Sequence, residues 1–294
     1  GSTGRSMLTV NVVTGPTASA KTAAAIDLAE SLGCEIISAD SRQIYRHIPI
    51  TTACPTPEEL ARVPHHLVQS LELTDYYSAA CFEQDALRLI ADMESRGRAQ
   101  VVVCGGSMMY INALLVGLDE LPTISESVRA ETLDFFLSEG IEGVRRELQR
   151  LDPAYLAQAD PNNHRRLVHA LEIIRQSGSP VSALRTGRRK QRPFRVRLSV
   201  LEPPRAELFD RINRRVEKMV ADGMVDEARS VYHLRHLNSL NTVGFKELFA
   251  YFDGVWDLPT AIARIQKNTR VYAKKQLTYL SARKSLWTGS PITL

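Results

Sequence analysis

The sequence has few cysteines and no long apolar run, and both absences narrow what the protein can be. Its four cysteines are scattered and form no C-x-x-C pair, which predicts no structural zinc and favours a reducing compartment. No apolar stretch approaches the roughly 18 residues of a membrane span, and we see no signal-peptide pattern. We therefore expect a cytoplasmic protein with no membrane partner.

Length and composition are those of an ordinary globular protein. The 294 residues suffice for one large domain or two smaller ones, and 44% of them are apolar and 24% charged. Residues 1–6, GSTGRS, resemble an expression-tag remnant, so we expect the natural chain to begin at Met7. No internal repeat or low-complexity segment is present.

Positive charge is concentrated, although the net charge of +4 is mild. Seven residues between Arg185 and Arg197 are basic and none is acidic. A second basic stretch runs from Arg264 to Lys284. This distribution favours a polyanionic partner, with a merely solvated basic surface as the alternative.

Strand and helix patterns alternate in the first third of the chain. Apolar runs at 8–13, at 34–38 and before Gly105 predict strands, and helical spacing fills 21–33 and about 78–96. Near-continuous apolar strands alternating with helices indicate an α/β fold with a parallel sheet covered by helices on both faces. Ligands bind such sheets beyond the carboxyl ends of the strands, where GPTASAKT, ADSRQ and GGSMMY lie.

The middle of the chain has a different pattern. Helical spacing without a strong strand runs from about Thr123 to Gly187 and predicts an all-helical insertion. We place the P-loop core at 7–122 and 190–294 and the insertion at 123–189. The run Arg195–Glu202 predicts a strand that returns to the sheet. A long helix is expected from about Pro259 to Ser281, followed by a short strand in SLWTG.

Residues 15–22, GPTASAKT, differ at one position from the phosphate-binding loop G-x-x-x-x-G-K-[ST], because Ala20 stands at the second glycine. Such a loop offers backbone N–H groups and a helix dipole to an anion. Lys21 adds positive charge and Thr22 a hydroxyl suited to Mg²⁺. The methyl of Ala20 opposes a positive φ, so we expect a weaker or slightly reshaped site. An incidental turn is the alternative.

Two further polar residues follow predicted strand ends. Asp40 comes just after the second strand and is suited to hold Mg²⁺ through water or to act as a general base, unless it only caps a turn. Ser107 follows two glycines and is suited to donate to a phosphate or leaving-group oxygen, and also to cap the next helix.

The motifs taken together resemble the tRNA dimethylallyltransferases. The similarity lies in GPTASAKT, ISADSRQIYR, TACPTPEE, PHHL, YSAACFEQDA, VVVCGGSMMYINALL, LDPAYLAQADPNNHRRLVHALEI, NTVGFKEL and TRVYAKKQLTYL, in the family's order. It covers nearly the whole chain from Met7 and implies transfer of a dimethylallyl group from dimethylallyl diphosphate to N6 of adenosine 37 in the tRNA anticodon stem-loop. Mg²⁺ is the implied cofactor. The zinc finger of eukaryotic relatives is missing, which favours a bacterial-type enzyme, and we expect a monomer.

The resemblance implies roles for individual residues. Lys21 would offset the diphosphate charge, Thr22 would bind Mg²⁺, and Asp40 would take the proton from N6. Ser107 matches a residue that contacts the leaving diphosphate and the tRNA. The implied diphosphate-binding residues are Gly15, Pro16, Thr17, Ala18, Ser19, Ala20, Lys21, Thr22 and Arg270. The implied tRNA-binding residues are Asp40, Ser41, Arg42, Gln43, Ser107, Arg129, Arg165, Arg166, His169, Asn241, Lys246, Lys274, Lys275 and Gln276.

Alternatives attach to some of these residues and to the function. Arg270 is equally suited to an intrahelical ion pair, and we expect a structural or substrate-lining role for His65 and His66. His169 and Ser281 stand where many relatives have arginine. The competing functions are an isopentenyltransferase acting on free adenine nucleotides, a P-loop kinase or NTPase, and a non-catalytic RNA-binding protein. The long insertion and the basic stretches favour tRNA as the acceptor.

Overall fold

The computed structural model of the chain describes residues 7–117, 121–184 and 190–288. These residues form two units, the first made of 7–117 with 190–288 and the second of 121–184. Three sequence predictions fall outside the described residues: the tag remnant at 1–6, the basic residues at 185–189 and the final glycine of SLWTG. Within the described ranges no helix combines the length and apolar character that a bilayer span requires.

The first unit is built on a five-stranded sheet in the order β3-β2-β4-β1-β5. Every neighbouring pair is parallel, which confirms the predicted α/β fold. The register sets Thr14 beside Gly105, so the loops after β1 and β4 start at the same level. The strands are β1 (Leu8–Thr14), β2 (Ile36–Ser38), β3 (His65–His66), β4 (Gln100–Gly105) and β5 (Phe194–Val200).

Eight helices of the first unit lie within its described residues. They are α1 (Lys21–Leu32), α2 (Pro57–Arg62), α3 (Ala79–Ser95), α4 (Met108–Leu115), α9 (Arg205–Ala221), α10 (Met224–Val231), α11 (Phe245–Phe252) and α12 (Leu258–Thr288). Helix α1 ends at Gly33, whose φ of 61° suits a glycine C-cap. Ser78 begins α3 by accepting the Cys81 N–H at 3.2 Å.

The central strands β1 and β4 are buried on both faces, which explains their nearly continuous apolar sequences, whereas alternate residues of the edge strand β5 are exposed. Along β4, Val101 and Val103 pack into a cluster with residues of α3, α4 and α12. Val102, between them, packs instead with Ala25 and Ile26 of α1. Successive side chains of a strand point to opposite faces, so a strand covered on both sides is mostly apolar along its whole length.

The predicted short strand in SLWTG is wrong. Residues 285–288 continue α12, which runs seven residues beyond the predicted end at Ser281. Leu280 and Trp287 are both fully buried in the same cluster, and their spacing is two helical turns. The Trp287 indole N–H donates to Asn112 Oδ1 at 3.1 Å. Burial of this tryptophan extends the helix past the polar residues that suggested its end.

The second unit is helical throughout residues 121–184. Its helices are α5 (Glu126–Leu151), α6 (Pro153–Gln158), α7 (His164–Ser177) and α8 (Val181–Leu184). They enclose a core of their own around Val144, Leu148, Leu167 and Leu171. Helix α5 is interrupted at Gly140, where φ is 67° and ψ is −177°.

Asp152 joins three helices of the second unit and is 1% exposed. Its carboxylate accepts the Tyr155 N–H at 3.2 Å, the Ser182 N–H at 3.0 Å and the Ser182 hydroxyl at 2.6 Å. Burial acts to raise the pKa of Asp152, but the hydrogen bonds from Ser182 and Tyr155 outweigh it and lower the pKa below the usual value.

We expect Asp152→Ala to lower the free energy of unfolding by about 3 kcal/mol, because it removes hydrogen bonds to a buried charge and a helix cap. A depressed pKa stabilises the fold above the unfolded-state pKa, so the difference between wild type and variant should shrink as the pH falls below about 4. Urea unfolding at several pH values measures this. Asp134→Ala, at an exposed position of α5, is the control; an equal loss in both variants would refute the assignment.

Candidate active site

Three loops surround one cavity of about 460 Å³ beyond the carboxyl ends of β1, β2 and β4. The first follows β1 and leads into α1, the second carries Asp40, and the third contains Gly106. Helices α9 and α12 complete the wall with Arg215 and Tyr272. The cavity lies wholly within the first unit, at the edge of the sheet where the sequence predicts a ligand site.

The phosphate loop has the backbone that its sequence motif requires. A Cβ at Gly15 would lie 2.4 Å from Leu201 O, so only glycine fits there. Ala18 and Ala20 adopt left-handed conformations with φ of 62° and 67°. The expectation that the Ala20 methyl prevents a positive φ is therefore wrong. Ala20 is exposed, and its left-handed conformation costs about 1 kcal/mol.

Two side chains of the loop, Lys21 and Ser19, indicate that the cavity is suited to an anionic ligand. The Lys21 ammonium donates to Pro16 O at 3.2 Å, and burial lowers the pKa of Lys21. Asp40 acts on the same pKa in the opposite direction. The Ser19 hydroxyl lines the cavity and is buried without a hydrogen-bond partner. A buried hydroxyl is rarely left unpaired in a native structure, so an oxygen of a bound ligand accounts for it.

Asp40 is held by one carboxylate oxygen only. Its Oδ1 accepts the backbone N–H groups of Arg42 at 2.8 Å and Gln43 at 3.0 Å. Its Oδ2 makes no hydrogen bond to the described residues, and the side chain lines the cavity. The turn-capping role and the general-base role are thus both open to the same carboxylate, one through each oxygen.

Ser107 secures the loop that carries Asp40. Its hydroxyl accepts the Ser41 N–H at 2.8 Å and donates to Ser41 Oγ at 3.2 Å. Its own N–H donates to Ala39 O at 3.1 Å. The hydroxyl does not cap α4, and Ser107 is not among the residues that line the cavity. The contact with diphosphate stays a prediction.

Arg215, which the sequence analysis missed, supplies a second cation to the cavity. Its Nη1 donates to Thr17 Oγ1 at 3.2 Å, and burial lowers the pKa of its guanidinium. Arg215 lies three residues after Ile212 and seven after Leu208, on the buried face of α9. The signal in the sequence that could have identified Arg215 is a basic residue at the helical spacing of that apolar face.

Arg270 is not at the cavity. Its Nη1 donates to Asn213 Oδ1 of α9 at 2.6 Å, and it forms no ion pair with the described residues of its own helix; the diphosphate contact stays a prediction. The reason is helical phase: Thr269 and Tyr272 of α12 face the cavity and Arg270 does not.

The remaining wall of the cavity is apolar and continuous. Val216, Met224 and Ile265 belong to one buried cluster, and Met219 and Val243 pack against it. The cavity therefore combines cationic and N–H groups with an apolar wall, which suits a phosphate ester of a small hydrocarbon.

Of the predicted tRNA-contacting residues 40–43, three line the cavity, and Ser41 instead bonds to Ser107. Arg42 and Gln43 line the cavity. Arg42 Nη2 donates to Val243 O at 2.5 Å, while its Nε is buried without a partner. Thr51 Oγ1, also in the lining, is likewise unpaired. These two orphan groups leave hydrogen-bonding capacity for a polar acceptor beside Asp40.

Gln276 forms hydrogen bonds within the protein, and its predicted contact with tRNA stays a prediction. It is only 5% exposed, and both ends of its amide bond to the protein. Its neighbours Lys274 and Lys275 are exposed, as are Asn241 and Lys246. For those four residues the tRNA contact remains a prediction.

The second unit brings four predicted tRNA-binding residues into one groove of about 900 Å³: Arg129, Arg165, Arg166 and His169. Glu172 links two of them, with Arg129 Nε at 3.5 Å and His169 Nδ1 at 3.2 Å from its carboxylate. Phe136 adds an aromatic surface to the same groove. Cations around an aromatic ring are suited to phosphates and unpaired bases.

The residues present fit Mg²⁺ bound jointly with a substrate. The Thr22 hydroxyl and the Asp40 carboxylate line the same cavity. The described residues contain no group of three His, Cys, Asp or Glu side chains that could hold a metal. Mg²⁺ usually takes one or two protein oxygens together with substrate phosphates.

The two adjacent histidines, His65 and His66, form strand β3 and bond to the protein. The His65 Nδ1 lies 2.8 Å from Val63 O, and the His66 Nε2 lies 2.8 Å from Glu35 Oε1.

Known proteins similar to this chain are tRNA-modifying transferases. The family model of the IPP transferases matches residues 43–284. tRNA dimethylallyltransferase 2 of Parabacteroides distasonis is 47% identical over 268 residues, covering 91% of this chain and 89% of that protein. tRNA dimethylallyltransferase 1 of Bacteroides thetaiotaomicron is 48% identical over 273 residues, covering 93% and 88%.

Solved structures agree with these relatives. The full-length tRNA isopentenylpyrophosphate transferase of Bacillus halodurans superposes with a TM-score of 0.68 at 37% identity, covering 94% of this chain and 87% of that one. A eukaryotic dimethylallyltransferase acting on tRNA gives a TM-score of 0.79 at 25% identity, with coverage of 96% and 72%.

We expect Ala20→Gly to raise the free energy of unfolding by about 1 kcal/mol, because glycine adopts the left-handed conformation without strain. The affinity for inorganic diphosphate should change little, since the loop already has its binding geometry. Urea unfolding and titration calorimetry measure the two effects. Ala23→Gly, in the first turn of α1, is the control and should destabilise the protein by a similar amount. A loss of stability in both variants would contradict the strain.

Proposed function

This chain belongs to the IPP transferase family, the tRNA dimethylallyltransferases, and we propose that it transfers the dimethylallyl group of dimethylallyl diphosphate to N6 of adenosine 37 in tRNA. The observation that carries the proposal is a single cavity that combines a phosphate loop, a half-engaged carboxylate and an apolar wall. Each of these three features serves one requirement of prenyl transfer to an amine.

The phosphate loop binds the diphosphate of the donor. Backbone N–H groups at the start of α1 and the helix dipole favour the anion. Lys21 and Arg215 bring positive charge to it from two different elements, and Ser19 offers an unpaired hydroxyl. The apolar wall receives the hydrocarbon, which orients the ester oxygen toward the cations and C1 toward the acceptor.

Asp40 makes the amine of adenine reactive. The lone pair of N6 is delocalised into the purine ring, so the amine is a poor nucleophile until a proton leaves. As N6 forms its bond to C1 of the donor, the C1–O bond breaks and both of its electrons leave with diphosphate. Asp40 accepts the N6 proton in the same step, through the oxygen not engaged by Arg42 and Gln43.

Charge on the leaving group is offset within the cavity. Lys21 and Arg215 lie where diphosphate accumulates negative charge as the C–O bond breaks. Mg²⁺, held by the Thr22 hydroxyl and donor phosphates, would supply further positive charge there. Allylic carbon tolerates positive charge, so stabilising the leaving group is the larger demand on the protein.

The acceptor is a tRNA anticodon stem-loop in this proposal. The groove of the second unit, lined by Arg129, Arg165, Arg166 and His169, offers cations and Phe136 to RNA. An adenine inside a folded loop has to leave its stack to reach a buried carboxylate, as other base-modifying enzymes require. We expect the protein to act as a monomer, and its four free cysteines are consistent with a cytoplasmic location.

The proposal is tested with labelled dimethylallyl diphosphate, Mg²⁺ and either tRNA carrying adenine at position 37 or free AMP. Label should appear on tRNA, on N6 of that adenosine after digestion and mass spectrometry. Label on AMP alone would identify a free-nucleotide transferase. Absence of label on both, with or without ATP consumption, would identify a kinase or a non-catalytic RNA-binding protein.

We expect Asp40→Asn to lower the single-turnover rate by about a hundredfold or more, because the amide accepts no proton. The amide oxygen still accepts the N–H groups of Arg42 and Gln43, so tRNA affinity should stay within about twofold. Rapid-quench assays and filter binding measure rate and affinity. Asp27→Asn, at an exposed position of α1, is the control. An unchanged rate in Asp40→Asn would exclude Asp40 as the base.

The apolar wall predicts how long a donor chain the cavity accepts. Replacing Met219 or Met224 by alanine should raise kcat/KM for geranyl diphosphate relative to dimethylallyl diphosphate by at least about tenfold, because each change lengthens the hydrocarbon site. Competition between the two donors measures this ratio. Met93→Ala, at a position as buried as Met224 but outside the cavity, controls for lost stability. The same ratio in all variants would show that this wall does not contact the chain.

A further inference from the structure

Helix α12 places one buried amide between the phosphate loop and the end of β4. The Gln276 Oε1 accepts the backbone N–H of Thr17 at 2.9 Å. Its Nε2 donates to the carbonyl oxygen of Gly106 at 2.8 Å. With 5% of its surface exposed, the side chain uses its acceptor and its donor to bridge two loops of the active site.

The backbone at Gly106 is shaped for this bridge. A Cβ at that position would lie 2.7 Å from Gln276 Nε2 and 3.3 Å from both Cε and Nζ of Lys21. The absence of a side chain therefore lets the amide and the lysine approach the same point. The side chains of Gln276 and Lys21 therefore meet at Gly106, beside the phosphate loop.

Thr17 is held from two helices at once. Its N–H is bound by Gln276 of α12, and its hydroxyl accepts Arg215 Nη1 of α9 at 3.2 Å. The first turn of the phosphate loop is thereby tied to the two helices that close the cavity. Removing the amide would leave the Thr17 N–H without its acceptor and the Gly106 carbonyl without its donor.

Helix α12 has an exposed face that is available to RNA and a buried face that packs against the active-site loops. Lys274 and Lys275 are exposed, whereas Gln276 faces the loops. A sequence motif covering all three cannot separate a surface contact with RNA from an internal support. The structure separates them, because Gln276 is buried and both its amide oxygen and its amide nitrogen form hydrogen bonds within the protein.

We propose that Gln276 is a positioning residue for the donor site, which holds the phosphate loop against the end of β4 in the conformation that binds diphosphate. The inference rests on the proposed function for the identity of the donor. The predicted effect of Gln276 on the affinity for inorganic diphosphate can be measured without the prenyl donor.

The test uses Gln276→Met, which keeps the length of the side chain and removes both hydrogen-bonding groups. The affinity of the full-length protein for inorganic diphosphate, without tRNA, should fall about tenfold, since two hydrogen bonds hold the loop. The KM for dimethylallyl diphosphate should rise by a similar factor. The Kd for tRNA should stay within about twofold. Calorimetry, initial-rate kinetics and filter binding give the three values.

Two further variants keep the result interpretable. Gly106→Ala pushes on the same amide from the opposite side and should reproduce the loss of diphosphate affinity. Lys275→Met, the neighbouring and exposed position on α12, should show the reverse pattern, with weaker tRNA binding and an unchanged donor KM. Thermal unfolding of each variant shows that it is folded at the assay temperature.

Gln276→Met with weakened tRNA binding and unchanged diphosphate affinity would overturn the proposal and make Gln276 an RNA contact. A lower melting temperature with all three constants unchanged would also overturn it, because the role would then be only structural. Wild-type protein that binds inorganic diphosphate but transfers no dimethylallyl group would refute the proposed function alone. The diphosphate result would still decide the role of Gln276.

Discussion

The close approach of Gly105 to the backbone of Ala39 is the contact on which the active site depends. A Cβ at Gly105 would lie 2.1 Å from Ala39 O, so no other residue allows β2 and β4 to end this close together. Ala39 then donates its N–H to Cys104 O at 2.7 Å and accepts the N–H of Ser107 at 3.1 Å. This junction sets Asp40 beside the phosphate loop, where a base and an anion site are needed together.

The other parts of the site are attached to this junction by side chains. Ser107 holds Ser41, and Gln276 holds Gly106 and Thr17. The consequence is a preorganised cavity, in which the cations and the carboxylate face the substrate without a prior rearrangement. The same loop architecture serves nucleoside triphosphates in other proteins, and here an apolar wall adapts it to a hydrocarbon ester.

Sequence patterns predicted the sheet, the loop and Asp40, because each depends on local spacing along one segment. They missed Arg215, whose role is visible only once the phase of α9 is known. They did not predict the protein partners of Gln276 and Arg270, because neighbours on one helix share a motif but face different surroundings. Ala20 shows the limit of a local rule: surrounding structure holds it in a conformation that alanine alone disfavours. Trp287 extends α12 through a tertiary contact that no local pattern carries.

The combination of a phosphate loop with an apolar wall predicts that this cavity binds a short hydrocarbon diphosphate in preference to a nucleotide. Calorimetric titration of the protein in Mg²⁺ with dimethylallyl diphosphate, inorganic diphosphate and ATP tests it most directly. Dimethylallyl diphosphate should bind at least about tenfold more tightly than inorganic diphosphate, because its chain buries apolar surface against Val216, Met224 and Ile265. ATP should bind no better than inorganic diphosphate. Tighter binding of ATP than of dimethylallyl diphosphate would contradict the account.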